Sequence, residues 1–254
     1  MQTLLGWKRA KGSLCALTVV LLTTLNGFAQ SRLDTLWMRG GHSSYTGAVF
    51  LPDGNTMLSW DYYHSRLLIW NLSNQTISHA HAYDGYYGRE PAVSHDGSTL
   101  AYIPANRESV RIWRLPQFEL VRTIERPANA WMEKCALSHD GSLIALELHR
   151  YETDRTYRWV EIRRVSDGQL VEQFGGSWYS SDHQNPLFSP DGRFFVVEEL
   201  SNRSYSVYRR TDTGYTQVAF LYSTDYRLPQ FSPNGQFFIV YDTRNNRMIL
   251  YDTS

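Results

Sequence analysis

The sequence predicts an all-β fold made of five repeated antiparallel sheets, and three observations carry that prediction. A Pro-Asp-Gly type of turn recurs as Pro52-Asp53-Gly54, His95-Asp96-Gly97, His139-Asp140-Gly141, Pro190-Asp191-Gly192 and Pro233-Asn234-Gly235. The acidic or amide residues of these turns lie 43, 44, 51 and 43 residues apart. From each of them to a key residue of a later strand, Trp70, Trp113, Arg163, Tyr208 and Tyr251, the spacing is 17, 17, 23, 17 and 17. A fixed period of this size marks a repeat architecture, in which every unit is one supersecondary element.

The best-preserved unit runs from Ala48 to Leu72. An apolar run leads into the Pro-Asp-Gly turn, a half-apolar run follows, and a polar turn opens into Leu67-Leu68-Ile69-Trp70. Apolar runs bounded by turn formers read as strands. Short strand-like segments follow each third strand, at residues 75–79, 118–124, 169–174 and 215–222. Each unit is then a four-stranded antiparallel sheet of roughly 43 residues, the size of a propeller blade. Such a sheet cannot bury both faces alone, so neighbours must stack around an axis. The expected fold is a β-propeller of five four-stranded antiparallel blades. The third unit carries six extra residues between its second and third strands, within His149 to Arg158, and these predict a longer, charged hairpin.

The two ends of the chain complement each other. The last unit stops at Tyr251-Asp252-Thr253-Ser254, directly after a third strand, while Leu33-Asp34-Thr35-Leu36-Trp37 reads as an extra strand ahead of the first unit. Residues 33–38 are therefore expected to complete the last blade, which removes a sheet edge that would otherwise remain unpaired. A closed ring of five, an open arc and a chain cut from a longer parent all fit this spacing. Ahead of that strand, Lys8, Arg9 and Lys11 precede an apolar core from Leu14 to Leu25 and then Gly27-Phe28-Ala29. This is the pattern of a secretory signal peptide with a small-x-small cleavage site. The domain reading is a signal peptide at 1–30 and the five-repeat propeller at 31–254, secreted or periplasmic, with no membrane insertion after cleavage. If Cys15 leaves with the peptide, Cys135 is the remaining thiol, placed as a small buried hydrophobe at the apolar start of a repeat.

The units resemble WD40 repeats. Gly41-His42 precedes the first blade, the turns are of the Ser-Pro-Asp-Gly type, and Ile69-Trp70-Asn71 and Ile112-Trp113-Arg114 close third strands. The Trp-Asp pair decays to Arg163-Arg164, Tyr208-Arg209 and Tyr251-Asp252 in the later units. The resemblance implies a buried hydrogen-bonded set formed by His42, Ser59, Asp61 and Trp70, with Trp113 as the structural residue of the second blade. The Phe188-Ser-Pro-Asp-Gly and Phe231-Ser-Pro-Asn-Gly turns also resemble the TolB-like propeller repeat, which implies the same fold.

Composition limits the function. The chain has 25 basic and 25 acidic residues, and loss of the first thirty removes three of the basic ones. A slightly acidic mature chain without a basic run argues against nucleic acid as a partner. Ser94-His95-Asp96 and Ser138-His139-Asp140 are not hydrolytic triads, because consecutive residues cannot converge on one reacting atom. Their histidines stand where sister turns carry proline, a turn former. His79 with His81, and Glu147 with His149, could each be half of a metal site, but no third ligand is placed, and surface or loop histidines are the expectation. No CxxC, HExxH, GxSxG or P-loop pattern occurs. No cofactor and no metal are expected. Asn71, Asn74 and Asn202 fit glycosylation sequons, which matter only in a eukaryotic secretory pathway.

The informative surface is the rim where each fourth strand hands over to the next blade. Those loops carry Tyr45; Tyr83, Tyr86 and Tyr87; Trp131; Trp178 and Tyr179; and Tyr226. In register, Thr46, Arg89, Glu133, Gln184 and Arg227 would form a polar ring at the channel mouth. Rings with mixed polar groups are the composition of a recognition surface. The expected partner-binding residues are Tyr86, Tyr87, Arg89, Trp131, Glu133, Trp178, Tyr179, His183, Tyr226 and Arg227. The expected function is a secreted, non-enzymatic interaction module whose partner is another protein. The alternatives are a glycan-binding, lectin-like propeller and a hydrolase or lyase with its site in the channel.

Overall fold

The computed structural model describes residues 46–61, 66–82, 89–153, 155–175, 183–199, 204–221 and 226–253. Every regular element among them is a β-strand. Blade 1 is β1 (Thr46–Phe50), β2 (Thr56–Asp61), β3 (Arg66–Asn71) and β4 (Thr76–Ala82). Blade 2 is β5 (Ala92–Val93), β6 (Thr99–Tyr102), β7 (Ser109–Arg114) and β8 (Glu119–Glu125). Blade 3 is β9 (Trp131–Leu137), β10 (Leu143–Tyr151), β11 (Thr156–Arg164) and β12 (Leu170–Gly175). Blade 4 is β13 (His183–Phe188), β14 (Phe194–Glu199), β15 (Ser204–Thr211) and β16 (Gly214–Leu221). Blade 5 shows β17 (Tyr226–Phe231), β18 (Phe237–Asp242) and β19 (Arg247–Asp252). Strands pair with their sequence neighbours throughout. The five antiparallel sheets stand in a ring, a five-bladed β-propeller, as the repeat spacing predicts. Residues 33–38, expected to complete blade 5, and the signal-peptide segment 1–30 lie outside the described residues.

The turns that set the register are stitched locally. In blade 2 the Ser94 hydroxyl donates to Asp96 Oδ1 at 2.6 Å, and the same oxygen accepts the Ser98 N–H at 2.9 Å. Blades 3, 4 and 5 repeat the serine contact through Ser138 to Asp140 (2.8 Å), Ser189 to Asp191 (2.6 Å) and Ser232 to Asn234 (2.7 Å). Blade 1 has Leu51 in place of the serine, and Asp53 instead accepts from the backbone of Asn55 and Thr56. Gly97 takes φ 73°, and a Cβ there would stand 2.8 Å from the Pro52 ring of the preceding blade, so glycine serves both conformation and close approach.

Alternation along the middle strands buries both faces of a blade. Leu100 and Tyr102 of β6 pack with Leu58, Leu67 and Ile69 of blade 1. Ala101 and Ile103 of the same segment turn the other way, toward Ile144, Leu146 and Leu148 of β10. Leu143, Ala145, Val160 and Ile162 then meet Phe188, Phe195 and Val197 across the third seam. Val196 and Tyr205 meet Phe238 and Val240 across the fourth. Among the described residues no such apolar cluster joins blade 5 to blade 1.

Candidate functional site

Because strands alternate in direction, the turns fall at two ends. The β2–β3-type and β4–β5-type connections share one end, which is the predicted recognition rim. The six extra residues of blade 3 lengthen β10 and β11 to nine residues each, so this hairpin extends the rim. A short turn closes it, with the Glu152 N–H donating to Arg155 O at 2.9 Å. The added rows are His149 opposite Arg158, Arg150 opposite Tyr157 and Tyr151 opposite Thr156. The Tyr157 ring is buried, with the guanidinium carbons of Arg150 and Arg155 at 4.9 and 5.0 Å from its centre. Trp131, at the start of β9, pairs with His149 in the same sheet.

Trp131 stays 37% exposed. Its ring is held from one side by Arg126, whose guanidinium carbon lies 4.5 Å from the ring centre. Arg126 is itself fixed, donating to Ala130 O at 2.7 Å and to Glu108 at 3.2 Å. An indole supported this way loses little freedom on binding, which favours it as an anchor.

Behind Trp131 a polar network crosses three blades. The Glu133 carboxylate accepts from both Arg89 and Arg107. His149 lies between two carboxylates, its Nδ1 3.7 Å from Glu133 and its Nε2 2.8 Å from Glu147. The other oxygen of Glu147 accepts the Asn185 N–H at 2.9 Å. The Asn185 side chain donates to Glu198 at 2.6 Å and accepts from Lys134 at 3.2 Å, while Gln184 also donates to Glu198 at 3.1 Å. Partly desolvated charges need such partners, and these lock the three blades in register at the channel mouth. The Arg89 Nε is buried and has no hydrogen-bond partner among the described residues. Below lies a central cavity of about 1030 Å3, lined by Glu90, Lys134, Gln184, Asn185 and Glu198 among others.

No protein-family model matches the chain, and no curated protein matches it significantly. The propeller is read from its strands and seams.

Of the ten predicted contact residues, Arg89, Trp131 and Glu133 are brought together here, with Arg89 and Glu133 directly ion-paired. His183, Tyr226 and Arg227 are placed by backbone alone, at the rim ends of β13 and β17, opposite Glu199, Asp242 and Tyr241. Tyr86, Tyr87, Trp178 and Tyr179 lie outside the described residues, as does His42. Of the expected structural set, the Trp70 indole donates to Ser59 at 2.7 Å and Asp61 is buried. Trp113 is buried and stacks on Phe118 at 5.5 Å. Blade 3 builds its own version, with buried Glu161 accepting from the Trp159 indole at 3.0 Å and from Arg163 at 2.7 Å. Burial pushes the Cys135 thiol up to about 12, leaving it inert.

Sequence reasoning missed Arg107, Arg126 and Asn185, and it named Glu147 and His149 only as half of a metal site, with a surface or loop histidine as the expectation. His149 is not a surface or loop histidine: it is buried within β10, because the longer strand carries it over the end of β9. The spacing of Glu147 and His149 was the available signal, and their same-face placement serves a hydrogen bond at 2.8 Å.

Proposed function

We propose that this protein is an exported, non-enzymatic propeller of WD40-like kind that binds a partner protein through the rim of blades 2 and 3. The exposed Trp131 ring, immobilised by Arg126, carries the reading. Around it, Arg89 and Arg107 pair with Glu133 and His149 stands beside the same carboxylate, which suits a rigid docking face. Ring-bearing anchors surrounded by paired polar groups are the usual composition of a binding centre. The lead from Lys8 to Ala29 supports export, and the repeat register assigns Tyr86, Tyr87, Trp178, Tyr179 and Tyr226 to the sequence segments equivalent to the one that carries Trp131.

The test places a photocrosslinker beside Trp131 and captures partners from the extracytoplasmic fraction of the source cells. A variant with Trp131→Ala, Trp178→Ala and Tyr226→Ala should lose the captured protein while keeping its unfolding midpoint. Capture that survives the triple variant removes the rim reading. A glycan array probed with the same pair transfers the face to sugars if it alone responds.

A further inference from the structure

Two consecutive blades place an imidazole where the other three place a proline. His95 and His139 hold the positions of Pro52, Pro190 and Pro233, in the turns at the end of the ring opposite the recognition rim. The turn does not require them. In blade 4 the same stitch forms around Pro190, from Ser189 through Asp191 to the Arg193 N–H. Both imidazoles are exposed, and neither has a hydrogen-bond partner among the described residues. Their ring centres lie 5.4 Å apart with the planes inclined at 36°. The two turns are fixed to each other by the Asp96 N–H, which donates to His139 O at 3.0 Å. Both side chains line the central cavity.

Two imidazoles that share a metal ion at about 2 Å from each nitrogen have ring centres roughly 5 Å apart. The ring centres stand near that separation, on turns tied to each other by the Asp96 to His139 backbone hydrogen bond. Imidazole nitrogen suits zinc, nickel and copper and is a poor ligand for magnesium or calcium. Negative charge stands beside it. Asp96 and Asp140 follow the two histidines directly in the turns, each bonded to its serine hydroxyl at 2.6 and 2.8 Å. Among the described residues no group of three or more histidine, cysteine or acidic side chains is set to hold a metal, so an ion held here would take two protein ligands.

We propose that His95 and His139 form a two-imidazole site for a divalent cation of the zinc, nickel and copper class at the turn-side mouth of the channel. The site is independent of the rim. Titrating the tag-free protein with Zn2+ and with Cu2+ by calorimetry should show one equivalent bound, and the Cu2+ electron paramagnetic resonance spectrum should show coupling to two nitrogens. His95→Pro with His139→Pro installs the residue of the sister blades. It should weaken both metals by at least the roughly tenfold that even outer-shell losses cost, and abolish the two-nitrogen coupling. His95→Asn with His139→Asn, which keeps a turn former, should do the same if the proline pair perturbs folding. His79→Ala with His81→Ala should change nothing, and Mg2+ should not bind. No Zn2+ or Cu2+ binding by the parent, or unchanged affinity and coupling in either double variant, overturns the site.

Discussion

Blade 3 and blade 5 are built from the same repeat, yet they bury it differently. In blade 3 the middle strands are apolar on both faces, and Leu143 through Leu146 alternate between the clusters on either side, all of them buried. In blade 5 the alternation is equally regular, but the described residues cover one face alone. Phe238 and Val240 pack against blade 4, while Met248 and Leu250, on the opposite face, are 72% and 61% exposed. Phe50 of blade 1 is likewise 67% exposed. The same pattern is thus a core where a neighbour covers it and an apolar surface where none of the described residues does. A repeat specifies what can be buried, and its neighbour decides whether it is.

Core truncation should show the largest contrast. Leu146→Ala, in the fully buried second seam, is expected to destabilise by about 2–5 kcal/mol in denaturant unfolding, whereas Leu250→Ala should stay within about 0.5 kcal/mol. Equal losses would mean that blade 5 is covered in solution as blade 3 is. Next comes the buried ion pair of blade 3. Glu161→Ala leaves the Trp159 indole and the Arg163 guanidinium without their acceptor and should cost about 3 kcal/mol by the same measurement.

The turn glycines sharpen the contrast at smaller energies. Gly54 and Gly97 both have positive φ, so alanine at either costs about 1 kcal/mol from backbone strain. Only Gly97 abuts a neighbouring turn; a Cβ at Gly54 meets nothing within 4 Å. Gly97→Ala should therefore lose clearly more stability than Gly54→Ala, and equal losses would place an unseen neighbour at Gly54.

The smallest effect is electrostatic. Partial burial works to raise the pKa of Asp140, but hydrogen bonds from Ser142 and Ser138 outweigh it and hold the carboxyl at about 2, below the ordinary 3.8. Its contribution is complete above pH 3.8 and disappears as pH falls through about 2, since protonation must break those bonds. Asp140→Asn should flatten the fall of the denaturant midpoint across that window. An unchanged slope would remove the turn stitch as a source of acid sensitivity.

The stitched turns were legible because they are local: Ser94, Asp96 and Ser98 sit within five residues, and the contact repeats at each period. The rim was legible only in part. Arg89 and Glu133 could be placed on one ring by register, but their pairing spans 44 residues and depends on how blade 2 turns against blade 3. The contact of Glu147 with Asn185 spans 38 residues and uses a positive φ at Asn185 that no local pattern announces.

The sequence by itself determined the repeat, the strand boundaries near each turn and the five-bladed all-β architecture. Periodicity and turn chemistry act over a few residues, so they can be read along the chain. The tertiary structure alone decided which faces are core, how Glu133 ties blade 3 to blade 2 and Glu147 ties it to blade 4, and that His95 and His139 stand side by side. Those outcomes depend on the rotation of one blade against the next, and burial and desolvation are properties of that contact rather than of either strand.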